Sequence, residues 1–116
     1  MDVHVFIVWI KMYEGDTLEV ANGAAEQLGL QPHVTHFYDP DQLVGRAVAE
    51  SFDAPEGKIA WDIYLYYGRE DDWGDRVPQP IYWAHQIQGS SWADPSHLYL
   101  GANLTKRLTE LTERLI

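Results

Sequence analysis

Residues 3–10 read VHVFIVWI, apolar at nearly every position and rich in β-branched and aromatic side chains. A run of this kind needs both of its faces covered, so it predicts a central strand with helices on either side. The residues that follow agree with that reading. Asp16-Thr17-Leu18-Glu19 has the pattern of a capping box, with the Asp16 carboxylate accepting from backbone N–H groups. Leu18, Ala21, Ala25 and Leu28 then recur at helical spacing, and Gly29 supplies a stop.

The strand–helix order repeats. Val34 to Tyr38 is a short β-prone run, and Asp39-Pro40 reads as an N-cap with proline at the first helical position. Leu43, Val44, Ala47, Val48 and Phe52 form one apolar helical stripe, closed by Gly57. Two strand candidates come next, IAWDIYLYY at 59–67 and IYWAHQIQ at 81–88, with no helix between them. They predict an antiparallel hairpin with a long loop over residues 68–80, in which Pro78 and Pro80 block backward extension of the second strand. Asp94-Pro95 repeats the cap-plus-proline start. Leu104, Leu108, Leu111 and Leu115 form the apolar ridge of a last helix, which Gly101 separates from a short helical turn.

The resulting order, β-α-β-α-β-β-α, resembles the core of the thioredoxin-like superfamily over nearly the whole chain. The segment HFYDPDQLVGRAVAESF at 36–52 is similar to the second strand and second helix of peroxiredoxin-like and thioredoxin-like proteins. The resemblance implies an α/β fold with a mixed four-stranded sheet, helices on both faces, and a single domain over residues 1–116. Both redox signatures of that superfamily are missing. Lys11-Met12-Tyr13-Glu14-Gly15 stands where the family has Cys-x-x-Cys, and Pro55, the nearest candidate for the family's cis-proline, lies four residues before Ile59. The resemblance therefore implies architecture alone, reused for binding or assembly without redox turnover. A ferredoxin-like sandwich is the competing topology, and it requires a strand after the last helix.

Composition narrows the function. The 116 residues are 46% hydrophobic and include fifteen aromatics, too apolar for an intrinsically disordered chain. The chain has no cysteine, which excludes a disulfide scaffold, thiol nucleophiles and thiolate metal sites. It carries 8 basic and 18 acidic residues, a net charge of −10, and no basic stripe that could offset phosphate repulsion. No nucleic-acid or membrane partner is expected. Residues 14–75 hold fourteen of the acids and three bases, a face that either keeps the protein soluble or meets a basic partner. The first apolar run is too short to span a bilayer and has no basic leader before it, so a cytoplasmic location is expected.

Candidate site residues fall in two places. In a hairpin pairing Tyr67 with Ile81, Asp62 lies opposite Gln86, on the face of Tyr64, Tyr66, Tyr82 and Ala84; a one-residue slip puts His85 opposite instead. A carboxylate inside such a strand either faces water, takes part in a structural hydrogen bond, or lines a polar pocket with Gln86 and tyrosine hydroxyls. Trp73 and Trp92, in the flanking loops, either fold back over that region or form a contact surface. Ligand-binding candidates are therefore Asp62, Tyr64, Gln86, His85, Trp73 and Trp92. His33 and His36 are the metal candidates, although residues three apart on a strand point to opposite faces. Ser90 and Ser91, near His85 and Asp94, carry triad residue types without a triad signature. No cofactor is expected. The expected function is binding or assembly, with homodimerisation or a protein partner through the aromatic side of the hairpin; a small-molecule site around Asp62 is the alternative.

Overall fold

The computed structural model describes residues 3–29 and 32–116. The elements follow the predicted order: β1 (Val5–Ile10), α1 (Leu18–Leu28), β2 (Val34–Asp39), α2 (Leu43–Ser51), β3 (Ile63–Tyr66), β4 (Tyr82–His85), a 3-10 turn (Pro95–His97) and α3 (Ala102–Leu115). The chain is thus mixed α/β. Among the described residues four strands make two separate two-stranded sheets, a parallel β1–β2 pair and an antiparallel β3–β4 pair, where one four-stranded sheet was expected. The chain also divides into two compact units, Met1–Gly45 and Arg46–Ile116, with the boundary inside α2. Among the described residues, no helix is long and apolar enough to cross a membrane.

In the first unit β1 and β2 run in parallel with Val5 beside Val34 and Ile10 beside Asp39, and α1 is the connection between them. The helix starts one residue later than the capping-box reading places it. Thr17 is the N-cap, its hydroxyl accepting from the Val20 N–H at 3.3 Å. Asp16 does accept backbone N–H groups, but those of Met12 and Tyr13 (3.0 and 2.9 Å), so it shapes the loop behind it. The Tyr38 hydroxyl donates to the Asp16 carbonyl at 2.6 Å, and the Gln42 amide to the Lys11 carbonyl at 2.7 Å. Both bonds hold the Lys11–Gly15 loop onto the ends of β2 and α2.

Asp39 is the buried centre of this unit. Its carboxylate accepts from the N–H groups of Leu43, Val44 and Gly45 at 2.8, 2.9 and 3.2 Å. These are orphan donors of the first turn of α2, which an anionic acceptor satisfies best. The cap is therefore Asp39, as expected, but the helix begins at Leu43, three residues beyond the proline position read as its start. Residues 40–42 form the intervening turn, with Gln42 at φ 60°.

The expectation of a strand covered on both faces does not hold for β1. Phe6 is 63% exposed and Val5 43%, while Ile7 to Ile10 are half-buried. A sheet of two strands has no inner strand, so its apolar residues are shielded on fewer sides than those of the wider sheet the pattern implies.

The second unit is built on the hairpin. Its register is Ile63 with His85, Tyr64 with Ala84, Leu65 with Trp83 and Tyr66 with Tyr82. Beyond the strands, the Ile81 N–H donates to the Tyr66 carbonyl at 2.8 Å and the Gln86 N–H to the Asp62 carbonyl at 3.0 Å. This is the pairing that sets Asp62 opposite Gln86. The strands are shorter than the apolar runs suggested because Asp62 adopts φ 48°, which takes the chain out of the β region. On one face Ala84, Leu104 and Leu111 form the buried core, with Tyr64, Tyr66, Tyr82, Tyr99 and Leu108 packed around them. The Tyr66 hydroxyl donates to the Leu108 carbonyl on α3 at 3.0 Å, tying sheet to helix.

Asp39→Ala is expected to lower the unfolding free energy by about 2 kcal/mol, the upper end of the range for a lost N-cap, since three N–H groups lose their acceptor. The exposed Asp41→Ala should change it by less than about 0.5 kcal/mol. Urea unfolding of the two variants checks both values.

Candidate functional site

Three of the hairpin candidates come together. Gln86 donates from Nε2 to the Tyr64 hydroxyl at 3.4 Å, a long hydrogen bond, and Asp62 stands opposite Gln86 through their backbone pairing. The Tyr64 phenol is pushed above the usual tyrosine range, chiefly by burial and then by the Asp62 charge, while the Gln86 hydrogen bond acts in the opposite sense. Asp62 itself faces solvent. The remainder of this sheet face is covered by Leu104, Leu108 and Leu111 of α3. What is left at its end is a small polar corner with a carboxylate, a phenol and an amide. An open groove lies elsewhere, along α3, lined by Thr105, Leu108, Thr109, Thr112 and Glu113.

His85 and Trp92 belong to a different cluster, because alternation along β4 turns His85 away from Gln86. His85 is fully buried. Its Nδ1 accepts from the Ile87 N–H at 2.9 Å, so the ring proton resides on Nε2, which donates to the Asp94 carbonyl at 2.8 Å. Both nitrogens are used by backbone groups, which leaves His85 no lone pair to act as a general base. The serine–histidine–aspartate combination is thereby disposed of: His85 meets the main chain of Asp94, and the Asp94 carboxylate instead accepts from the Ser96 N–H at 2.9 Å. Hydrogen bonds from Ser96, the backbone one first, hold the Asp94 carboxyl below its ordinary range, with His97 adding to the effect.

Around His85 the rings form a stack. Trp83 lies at 5.5 Å and 24° to His85 and at 4.3 Å and 15° to His97. His97 Nδ1 donates to the Trp83 carbonyl at 2.9 Å, and Phe52 closes the cluster against Trp83 (4.5 Å) and Trp92 (6.3 Å). The hairpin aromatics are thus largely occupied inside their own unit, and Trp92 is part of this packing. His97 is marked out by no motif, and Phe52, read as the last residue of the α2 stripe, lies just past that helix and joins the rings instead.

Trp73 stands apart from both groups. Its ring meets Tyr67 edge-on at 5.5 Å and is 46% exposed. The Tyr67 hydroxyl is buried without a hydrogen-bond partner, and burial, with the Asp71 charge second, pushes its phenol up to about 12.

The two metal candidates have different neighbours. His36 Nδ1 accepts from Trp9 Nε1 at 3.1 Å and the two rings stack at 6.1 Å. His33, at φ 67° in the turn before β2, sets its ring edge-on to His4 at 6.2 Å. Among the described residues no three His, Asp or Glu side chains converge as metal ligands.

His85→Ala strands two buried backbone groups and is expected to cost about 3 kcal/mol in urea unfolding. Tyr67→Phe removes an unsatisfied hydroxyl and should leave stability unchanged or raise it by about 1 kcal/mol. Tyr67 also sets an alkaline limit. The folded chain keeps a phenol proton that the unfolded chain releases near pH 10, so the contribution is complete below pH 10 and is lost as pH rises through about 12. Spectrophotometric titration of wild type against Tyr67→Phe should show one late-titrating tyrosine missing in the variant.

Comparison of the chain with models of known protein families, with curated proteins and with solved structures finds no match.

Proposed function

We propose that this chain is a binding or assembly module of thioredoxin-like descent that performs no thiol chemistry. The observation that carries the reading is where apolar surface is left uncovered. In the first unit Phe6, Val20, Leu18 and Phe37 are 63%, 56%, 51% and 50% exposed. Phe6 and Phe37 stand side by side, ring centroids 6.2 Å apart, with His4 against Phe6 at 4.5 Å. Large apolar groups left in water next to one another are the usual mark of a protein contact surface. The aromatics of β3 and β4, by contrast, are engaged with α3 and with the Trp83 stack, so the contact surface is assigned to the first unit. The element order and the absence of any thiol support the family reading and its non-redox character.

Binding of a small polar molecule at Asp62, Tyr64 and Gln86 is the second reading, favoured by the convergence of those three groups. It requires that Asp62→Asn abolish ligand retention while leaving the fold intact.

A photo-crosslinking benzophenone side chain at Phe6 should yield one discrete adduct, reproduced with the purified partner once mass spectrometry has identified it. The same group at Thr109 on α3 should yield none. Absence of any adduct from Phe6, Leu18 and Phe37 alike overturns the binding reading.

A further inference from the structure

The parallel register shows which backbone groups of β1 are already used. Val5 donates to the His33 carbonyl at 2.7 Å and Lys11 to the Asp39 carbonyl at 3.1 Å. In a parallel pair alternate residues face the neighbour, so Val5, Ile7 and Trp9 are turned towards β2. Phe6, Val8 and Ile10 therefore aim their N–H and C=O groups at the opposite edge. No strand among the described residues pairs along that edge.

An unpaired row of N–H and C=O groups is complementary to an extended strand. Edge strands that must stay single are usually blunted by charges, proline or a bulge. β1 has none of these, being VFIVWI without interruption. Charge then selects the occupant. In a chain of net charge −10, a second copy can approach only where carboxylates are absent, and residues 3–13 contain no Asp or Glu, with Lys11 their one formal charge. A basic partner would instead be drawn to residues 14–75 with their fourteen acids. The outer edge of β2 is less suitable for a second copy, because the exposed Asp41 follows the strand.

We propose that the outer edge of β1 pairs antiparallel with β1 of a second copy, giving a two-fold dimer with a continuous four-stranded sheet, β2–β1–β1–β2. Centred on Val8, this register sets Val8 opposite Val8 of the other copy and Phe6 opposite its Ile10. The outward-aimed backbone groups then meet as hydrogen-bonded pairs, and the exposed Phe6 gains an apolar neighbour on its own face. The inference rests on the binding reading above and names its partner. The contact is small, so the dimer is weak, with Kd expected at about 10 µM to 1 mM.

Sedimentation equilibrium from roughly 10 µM to 1 mM, the range that brackets such a dimer, tests the proposal. Wild type should pass from monomer to dimer. Phe6→Lys should weaken association at least about tenfold, roughly 1.4 kcal/mol, while Phe37→Lys, on β2 and away from the new edge, should have little effect. Equal loss in both variants would point to stacking of faces and overturn the edge pairing. A second readout needs no variant: amide exchange of Phe6, Val8 and Ile10 should slow with concentration, and that of Val34, His36 and Tyr38 should not. A wild-type chain monomeric throughout overturns the dimer. If the Phe6 crosslinker nevertheless captures a different protein, binding stands and only the second copy is rejected.

Discussion

The Asp39 carboxylate is the interaction on which the first unit depends. It ends β2, takes three backbone N–H groups of α2, and through its own carbonyl receives the Lys11 N–H at the end of β1. A buried carboxylate is costly unless its lone pairs are met, and here the donors are groups that no helical carbonyl can satisfy. Two otherwise unfavourable features, a buried charge and an open helix end, offset one another. At the same end of the β1–β2 pair, Gln42 and Tyr38 hold the loop that leads into α1.

The hairpin faces a different constraint. Two antiparallel strands are marginal by themselves and must bury both faces locally. One face is closed by the leucines of α3 and a ring of tyrosines, with hydroxyls such as that of Tyr66 reaching helix backbone. The other is closed by stacked rings and by His85, a side chain that satisfies a donor and an acceptor of the following loop at once. A histidine in that position is a structural crosslink. The aromatic rings of the two hairpin strands are consumed in this unit, whereas Phe6 and Phe37 of the first lie open beside one another, and that contrast directs the functional reading towards assembly.

Much of the local order was legible because it rests on patterns with a single physical meaning. Alternation in IYLY and YWAH groups Tyr64, Tyr66, Tyr82 and Ala84 on one face but leaves the pairing open to a slip, and the structure selects the pairing of Tyr66 with Tyr82. Leucines at helical spacing from Leu104 to Leu115 define α3, and Gly101, at φ 56°, separates it from the turn headed by Asp94-Pro95. Boundaries were less legible where two residues could serve one role. Asp16 and Thr17 both cap in principle, and Asp39 reaches over Pro40 to a helix that starts at Leu43. The late start of β3, only after Asp62, depends on a positive φ that no residue pattern announced.

The sequence by itself determined the α/β class, the order of elements and the absence of thiol chemistry, because each follows from composition or from short-range periodicity. Tertiary structure decided what periodicity cannot encode: how many strands join one sheet, which rings meet, and where each buried polar atom finds its partner. The same apolar run is satisfied equally by a central strand and by one half of a two-stranded pair, since alternation and hydrophobicity describe a strand and not its neighbours. His85 could have been a ligand-binding group, a base or a crosslink on residue type alone; only the placement of Ile87 and Asp94 around its two nitrogens made it a crosslink.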